Sequence, residues 1–386
     1  ILGATTPTAR QRLAVQRKRT FRLGVAVALL VAAGFMGSLF LVDLDEVDKQ
    51  AADHHELQVR GGKHPTPPQQ QQPNHSLVKR RERPDAVPHA LRIFIYGDVV
   101  PPALNRNLRT KESCWHGYTG LEALLPELVG ASSVFTPHGE LADFYLVPVL
   151  PECFLISEMR RGTDHTRAHE SFNDLFSLTM DAVQARYPYW AASEGRDHLF
   201  VFPSERGAAM MSRDSMLRVK KSIFITGVQQ RDHEWTVFNP AKDIVAPPTM
   251  SLYHPHGAAE LGHLTPSSAQ RNFLLYFRGV LPGIEDQGTW GLRATLSEQL
   301  KNERDVLFRD STDSSCGRNC SLAEMTSARF CLAPEGGVEG WSLRLFDAIS
   351  QGCIPVIIAD AWELPFQELL NWSKFSIKLL ERDADE

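Results

Sequence analysis

The chain has 386 residues, 43% of them hydrophobic, and a formal net charge of -5. A chain of this size and composition holds one membrane segment and about two ordinary domains, and it is neither fibrous nor wholly disordered. Because there is no overall excess of positive charge, the composition argues against a nucleic-acid-binding protein. An anionic ligand would therefore have to meet a local group of basic residues.

An uninterrupted apolar run extends from Leu23 to Val42. About 20 such residues cross a bilayer as a helix, whereas the apolar core of a cleaved secretory signal is shorter. Basic residues precede the run and acidic residues follow it, which keeps the N-terminus cytosolic. The sequence therefore predicts a cytosolic tail at 1–22 and a transmembrane signal anchor at 23–42, with the bulk of a type II membrane protein in the lumen.

From Asp43 to about Pro88 the chain is polar and rich in proline, glutamine and basic residues. Such a segment cannot bury a core, so we predict a disordered stem at 43–88 that holds a globular part away from the bilayer. Because the chain starts at Ile1 without Met and stops at Glu386 in a charged run, we expect both ends to be truncated.

Strand-like and helix-like segments alternate in two consecutive halves, 89–250 and 269–386, joined by a linker at 251–268 that is rich in Pro, Gly and His. The pattern predicts strands at 91–96, 142–149, 198–202, 222–226, 273–277, 330–333 and 354–358. It predicts helices at 121–128, 172–186, 291–301 and 341–350. Alternation of this kind is typical of parallel α/β sheets, in which ligands bind beyond the carboxyl ends of the strands.

Six cysteines in a lumenal protein are candidates for disulfides. Cys316 and Cys320 are close enough in sequence to bridge locally, and Cys114 could pair with Cys153, although spacing does not fix connectivity. The remaining pair lies in apolar segments, where we expect small buried core residues, Cys331 and Cys353.

Three Asn-x-Ser sequons, at Asn74, Asn319 and Asn371, are usable for glycosylation in the lumen. No CxxC pair and no histidine spacing frames a four-ligand site, and the His254-Pro255-His256 pair stands in a loop without further ligands. We therefore predict no metal site.

The densest signal is the stretch 330–358, in which a buried strand enters a turn with Gly336, Gly337 and Gly340 before a helix. The backbone N–H groups at such a helix start suit a phosphate. Arg344 and Asp347 follow on one helical face and add charge at this end of the sheet.

This stretch resembles the signature of the exostosin family of glycosyltransferases, through Phe330-Cys331-Leu332, Arg344, Asp347-Ala348 and the run 352–356. Further similar stretches occur in family order at 92–96, 142–148, 187–190, 195–198, 201–203, 243–248 and 274–279. The resemblance covers about Leu91 to Lys378, which is nearly the whole predicted lumenal part.

The resemblance implies a GT-B fold, with two Rossmann-like domains facing a central cleft. It implies an acceptor domain at 89–250, a nucleotide-sugar domain at 269–386, and inverting transfer from a UDP-sugar to a polysaccharide or a glycoprotein or proteoglycan glycan in the Golgi membrane. Implied partners are a UDP-sugar donor, a glycan acceptor, and a homo- or hetero-oligomer with a related glycosyltransferase. The alternative is a non-catalytic exostosin-like partner that binds glycan or stabilises an active enzyme.

By the same resemblance Asp347 would bind the donor ribose, where many relatives have Glu, and Glu339 stands eight residues earlier. The Asp-x-Asp pairs that would hold a metal lie in the stem and at the chain end, so cationic groups must stabilise the departing diphosphate. The predicted donor-binding set is Arg278, Arg293, Glu339, Gly340, Ser342, Arg344 and Asp347. An inverting transfer also needs a base, for which the candidates are Asp143, Asp197 and His198, with Glu112 and His116 as open alternatives.

Overall fold

The computed structural model describes residues 23–24, 26–28, 91–102, 119–204, 207–227, 229–230, 238–249, 270–281, 291–312, 315–335 and 342–385. The predicted cytosolic tail, stem and linker lie outside the described residues, as does most of the predicted anchor. Within the described ranges no helix is both long enough and apolar enough to cross a membrane.

The first half forms a five-stranded parallel sheet in the order β1, β2, β3, β4, β6. Its strands are β1 (Ile93–Ile95), β2 (Phe144–Leu146), β3 (His198–Phe202), β4 (Ile223–Thr226), β5 (Gln229–Gln230, outside this sheet) and β6 (Ile244–Val245). Its helices are α1 (Leu121–Gly130), α2 (Pro151–Arg160), α3 (His165–Arg186), α4 (Tyr189–Ser193) and α5 (Arg213–Val219).

Both faces of this sheet are buried, which is why its strands are continuous apolar runs rather than alternating ones. One face packs on α3 through Phe172 and Phe176, and the other packs on α1 through Leu121. The helical residues 23–24 and 26–28 join the second face, where Leu23 and Val27 are buried.

The second half forms a five-stranded parallel sheet in the order β12, β10, β9, β7, β8. Its strands are β7 (Phe273–Gly279), β8 (Val306–Asp310), β9 (Ala328–Pro334), β10 (Ile354–Ile358), β11 (Trp362–Glu363, outside this sheet) and β12 (Ile377–Leu379). Its helices are α6 (Gly291–Leu300), α7 (Arg318–Thr326) and α8 (Leu343–Ser350). Each half therefore forms one parallel sheet with helices, which confirms the predicted α/β class with two consecutive α/β halves.

The two halves touch where β5 of the first pairs antiparallel with β11 of the second. The backbone N–H of Phe366 donates to the carbonyl of Val245 at 3.2 Å, and Val245 belongs to the same buried hydrophobic cluster as Leu345 from helix α8. A cavity of about 350 Å³ at this junction is lined by residues that include Phe238, Asp243, Glu363, Phe366 and Leu369.

The alternation predicted the main strands but missed helices α2, α4, α5 and α7 and strands β5, β6, β8 and β11. Helix α2 begins with Pro151, which reads as a turn in the sequence yet fits the first helical position, where its missing N–H costs nothing. Helix α3 also starts earlier than predicted, because the Asp164 side chain caps it by accepting from the Arg167 N–H at 3.0 Å.

Two disulfides join described cysteines. The local bridge between Cys316 and Cys320 is confirmed. The prediction that Cys331 and Cys353 are unbonded core residues is wrong, since a disulfide joins them while both stay buried. Strand pairing of β9 with β10 brings them together, which apolar flanking sequence does not reveal. Cys153 is also disulfide-bonded, and the predicted partner Cys114 lies outside the described residues.

Candidate functional site

The candidate site lies at the carboxyl edge of the second sheet. Parallel strands end on the same edge, so the ends of β7, β8 and β9 meet there, with the start of α8 beside them. Of the predicted donor-binding residues, the structure brings Arg278, Arg293, Ser342, Arg344 and Asp347 to this region.

Arg278 occupies the penultimate position of β7 and is held by its neighbours. Its Nε and Nη2 donate to the Glu324 carboxylate of α7 at 3.0 and 3.1 Å, and its Nη1 donates to the Asp310 carbonyl at 3.2 Å. The hydrogen bonds to Glu324 raise the pKa of Arg278. This paired, largely buried guanidinium braces the ends of β7 and β8 rather than pointing freely at a ligand.

Arg344 crosses from α8 to the end of β7. Its Nε donates to the Arg278 carbonyl at 2.7 Å and its Nη1 donates to the Ser342 hydroxyl at 3.2 Å. Its guanidinium carbon lies 5.0 Å from the centre of the Phe277 ring. Burial lowers the pKa of Arg344 from its ordinary value.

The close approach of Arg344 to the end of β7 requires a glycine at position 279. A Cβ atom at that position would lie 2.7 Å from Phe277 Cζ and 2.9 Å from Arg344 Nη2. These separations are shorter than van der Waals contact, so any larger residue would displace the Arg344 guanidinium.

Arg293 of α6 is the second cation beside Phe277. It is buried, its Nη1 donates to the Val280 carbonyl at 3.3 Å, and its guanidinium carbon lies 5.9 Å from the Phe277 ring centre. Burial, followed by the positive field of Arg344, lowers the pKa of Arg293 to about 10. Two like charges close to one ring create a positive potential that an anion would relieve.

Asp347 faces the same region but is engaged by another arginine. Arg318 of α7 donates to the two carboxylate oxygens at 3.0 and 2.7 Å, in the paired geometry that guanidinium and carboxylate prefer. Asp347 is buried, whereas the Arg318 side chain is 40% exposed, so the cation closes the solvent side of the carboxylate.

The basic cluster is defined here as Arg278, Arg293, Arg318 and Arg344. Its described carboxylate partners are Glu324, which binds Arg278, and Asp347, which binds Arg318. The arrangement can stabilise a multiply charged anion, because the guanidinium groups are already positioned and partly desolvated.

A carboxyl pair stands at the end of the neighbouring strands. Glu335 directly follows β9, is buried, and its backbone N–H donates to the Ile358 carbonyl at 2.8 Å. Burial, then the hydrogen bond and negative charge of Glu381 and the charge of Asp360, raise the pKa of Glu335 to about 7. Its position at the strand end is visible in the sequence, but its partners 25 and 46 residues away are not.

His198, one of the predicted catalytic bases, is buried in the first half. His198 opens β3, has no solvent exposure, and contacts the Tyr96 hydroxyl through Nε2 at 2.9 Å and Asp197 Oδ1 through Nδ1 at 3.0 Å. Asp197 is also buried and accepts from the Ser193 hydroxyl. Both ring nitrogens are therefore occupied inside the core, which favours a structural role for this imidazole over that of a general base.

Asp143 also has a local structural contact, because its Oδ2 accepts from the backbone N–H of Arg92 at 3.0 Å beside the start of β2. The structure does not bring Asp143 into the basic cluster. Glu339, Gly340 and the alternatives Glu112 and His116 lie outside the described residues.

Residues 88–386 match the family model for the exostosin GT47 domain. The chain belongs to the exostosin GT47 family. It is a glycosyltransferase. The match covers both parallel sheets and the whole basic cluster, so the geometry described above is that of a GT47 enzyme.

Three relatives illustrate the similarity of this GT47 glycosyltransferase. Probable beta-1,4-xylosyltransferase IRX10 of Arabidopsis thaliana is 28% identical over 311 residues, which cover 77% of this chain and 70% of the relative. Probable glucuronosyltransferase GUT1 of Oryza sativa subsp. japonica is 28% identical over 311 residues, covering 77% and 69%. Probable glucuronosyltransferase 47 A of Physcomitrium patens is 30% identical over 308 residues, covering 76% and 64%.

Sequence reasoning missed two members of the site of this glycosyltransferase. Arg318 and Glu324 lie on α7, a helix that was not predicted, and neither belongs to a recognisable motif. The one sequence feature that could have indicated Arg318 is the Cys316 and Cys320 pair. Their local disulfide encloses the start of α7 and so fixes the position of Arg318.

Proposed function

We propose that this enzyme transfers a sugar, with inversion, from a UDP-sugar to a polysaccharide or to a glycoprotein or proteoglycan glycan. The observation that supports it is the basic cluster beside the start of α8. A sugar nucleotide carries its charge in the diphosphate, and its departure requires stabilisation of that charge. Arg344 and Arg293 supply it, while Arg278 and Glu324 hold the β7 end in place.

Asp347 is proposed to accept hydrogen bonds from the donor ribose hydroxyls. Its carboxylate is already oriented by Arg318, so the arginine must share the carboxylate or turn outward when the donor binds. Because Arg318 is partly exposed, this movement needs no rearrangement of the core. The cationic groups, rather than a divalent metal, neutralise the diphosphate in this proposal.

The donor sugar is proposed to be a pentose or a uronic acid. This follows from the names of the relatives, which are xylosyltransferases and glucuronosyltransferases. The donor would lie in a GT-B cleft between the two halves, against the carboxyl edge of the second sheet, and the acceptor would be held by residues of the first half.

We further propose that the enzyme is a single-pass type II protein of the Golgi membrane with its catalytic part in the lumen. The apolar run Leu23 to Val42 supports the anchor. Disulfides support an oxidising compartment, where exposed sequon residues such as Asn319 and Asn371 can carry glycans.

A donor screen tests the activity. The purified full chain is incubated with UDP-xylose, UDP-glucuronic acid, UDP-galactose and UDP-N-acetylglucosamine, each with xylan and heparosan oligosaccharides, and products are detected by mass spectrometry with and without EDTA. We expect transfer from one donor, insensitive to EDTA, with inverted anomeric configuration by NMR.

Arg344→Ala is expected to abolish this transfer, because it removes a cation from the diphosphate site. Arg309→Ala is the matched control, since Arg309 is exposed on neighbouring strand β8. Transfer that survives in Arg344→Ala at the wild-type rate would remove the basic cluster from the mechanism.

A further inference from the structure

The two disulfides between described cysteines differ in their access to solvent. Cys331 and Cys353 join strands β9 and β10 and are both buried. The other pair lies at the surface at the start of helix α7, where Cys316 is partly buried and Cys320 is exposed. A disulfide is reduced by direct attack of a thiolate on one of its sulfurs, so access decides which bond reacts. A thiol in solution therefore reaches the surface disulfide before the buried one.

The surface disulfide encloses the first turn of α7. The N-cap of this helix is Gly317, which has no side chain to bind the free backbone N–H groups of the first turn. The turn, residues 318–321, contains no acidic residue and starts with Arg318, a cation that the helix dipole disfavours at an N-terminus. The covalent bridge from Cys316 to Cys320 therefore supplies a restraint that neither the cap nor the charges of this turn provide.

The second half of α7 is held independently of this disulfide. Met325 is buried in the same hydrophobic cluster as Tyr276 of β7. Glu324 accepts from the Arg278 guanidinium at 3.0 and 3.1 Å. Breaking the disulfide is thus expected to loosen the turn that carries Arg318, while the rest of the helix stays in place.

Arg318 is the residue of this turn that reaches the donor site. It lies between the two bridged cysteines and donates to both carboxylate oxygens of Asp347 at 3.0 and 2.7 Å. Its side chain is 40% exposed, and an exposed ion pair contributes little unless its geometry is fixed, as it is here by the restrained backbone. The orientation of the Asp347 carboxylate therefore depends on the restraint across residues 316–320.

We propose that the Cys316–Cys320 disulfide is a redox-sensitive switch of the donor site, which a dithiol reduces. The oxidised form holds Arg318 and Asp347 in the arrangement that receives the nucleotide, and the reduced form binds the nucleotide less tightly. The inference rests on the proposed role of Asp347 in binding the donor ribose. Because Arg318 also belongs to the basic cluster, loosening its turn removes a fixed cation from the same edge of the sheet.

The exchange balances between the cysteine pair and the dithiol. A thiolate of the dithiol attacks the exposed Cys320 Sγ, a mixed disulfide forms, and Cys316 leaves as a thiolate that takes up a proton. The second thiol of the reagent then displaces Cys320, so the dithiol is oxidised to its own cyclic disulfide while the cysteine pair gains two electrons and two protons. A disulfide such as oxidised glutathione reverses these steps.

UDP binding to the full chain tests the switch, since UDP carries both the ribose and the diphosphate. Calorimetry compares the oxidised chain, the chain after mild treatment with dithiothreitol, and the chain after reoxidation with oxidised glutathione. Alkylation with peptide mass mapping identifies the reduced cysteines. We expect alkylation at Cys316 and Cys320 but not at Cys331 and Cys353, a rise of at least fivefold in the UDP Kd, and recovery of the original Kd on reoxidation.

Three variants separate the switch from a general loss of stability. Cys316→Ser combined with Cys320→Ser is expected to have the UDP Kd of the reduced wild type and no response to dithiothreitol. Arg318→Ala is expected to have a raised Kd that is the same in both redox states, because the effect of the disulfide acts through this side chain. Asn319→Gln changes an exposed residue of the same turn and is expected to respond to dithiothreitol as the wild type does.

Hydrogen–deuterium exchange adds a readout that does not depend on the nucleotide. Reduction is expected to increase the exchange of the amides of residues 318–321 and to leave that of strand β9 unchanged. Equal UDP Kd values in the oxidised and reduced wild type, or a further rise when Arg318→Ala is reduced, would overturn the switch alone. UDP that binds neither form would contradict the proposed function, and the switch with it.

Discussion

Arg318 and Asp347 form a two-point ion pair between helices α7 and α8, with both carboxylate oxygens accepting from the guanidinium at 3.0 and 2.7 Å. If Asp347 binds the donor ribose, Asp347→Asn weakens both the orientation by Arg318 and the charged hydrogen bonds to the ribose hydroxyls. Charged hydrogen bonds contribute about 1.5–3 kcal/mol, so we expect the donor KM to rise by roughly 10- to 100-fold. The kcat is expected to change less, because these hydrogen bonds hold the donor equally in the ground state and in the transition state.

Initial-rate kinetics with varied donor measure this change. Asp305→Asn, at an exposed aspartate of the same half, is the control and is expected to leave KM unchanged. Asp347→Glu keeps the charge and adds one methylene, so it is expected to retain donor binding within about threefold. A wild-type KM in Asp347→Asn would exclude Asp347 from donor binding.

Gly279 permits the approach of Arg344 to the end of β7, and Gly279→Ala tests whether that approach matters. The added methyl would overlap Phe277 and the Arg344 guanidinium, and overpacking of this kind costs about 1–3 kcal/mol. We expect kcat/KM for the donor to fall at least tenfold because Arg344 is displaced. Gly130→Ala places a methyl in open space and is expected to have wild-type kinetics. Equal kinetics in the two variants would contradict the proposed positioning.

The strands at the carboxyl edge were predictable because each is a short apolar run bounded by turn residues, as in β9 and β10. Arg344 and Asp347 were assigned to one helix face on the same basis, from spacing alone. Their partners were not predictable, since Arg318 and Glu324 come from a helix with weak periodicity and meet the site only through tertiary packing. The position of the basic cluster could therefore be predicted from the sequence, but the ion pairs within it could not.

Glu335 predicts a pH dependence of stability. Its folded pKa of about 7 lies above the ordinary value of 4.5, so between these values the folded state binds more protons than the unfolded state. Stability from this group is thus fully present below about pH 4.5 and is lost as pH rises through 7. Glu335→Gln is expected to remove this loss of stability at high pH. At pH 8 the variant is expected to be more stable than the wild type by roughly 2 kcal/mol.

Urea unfolding at pH 5 and pH 8 measures this difference for the wild type and for Glu335→Gln. Glu303→Gln, which changes an exposed carboxyl of the same half, is expected to follow the wild type at both pH values. Identical pH dependence in wild type and Glu335→Gln would show that Glu335 ionises without penalty in the fold.

The burial of His198 was not predictable from the sequence, for a physical reason. A histidine at the start of a strand, preceded by an aspartate, has the composition of a catalytic pair, and only the fold shows whether it faces solvent. Here Tyr96, which directly follows β1, and Tyr145 from β2 stack against the imidazole and seal it from water. The same residue types therefore form a core hydrogen-bonded chain from Tyr96 through His198 to Asp197.

His198→Gln distinguishes a catalytic role of His198, as general base, from a structural role as a buried hydrogen-bonded group. Loss of a general base lowers kcat by about 10²- to 10⁴-fold, whereas loss of a buried structural group lowers stability by about 1–3 kcal/mol and leaves kcat of the folded enzyme unchanged. We expect the second result, measured as kcat at pH 7 together with the urea midpoint.

The pH dependence supplies an independent readout. Burial lowers the folded pKa of His198 below its ordinary 6.5, so the unfolded state takes up the proton first as pH falls. The stability contributed by the neutral imidazole is present above pH 6.5 and is lost as pH falls through the folded pKa. The wild type is therefore expected to lose more stability than His198→Gln between pH 7 and pH 5. A variant that unfolds in parallel with the wild type but loses activity a hundredfold would restore His198 as the base.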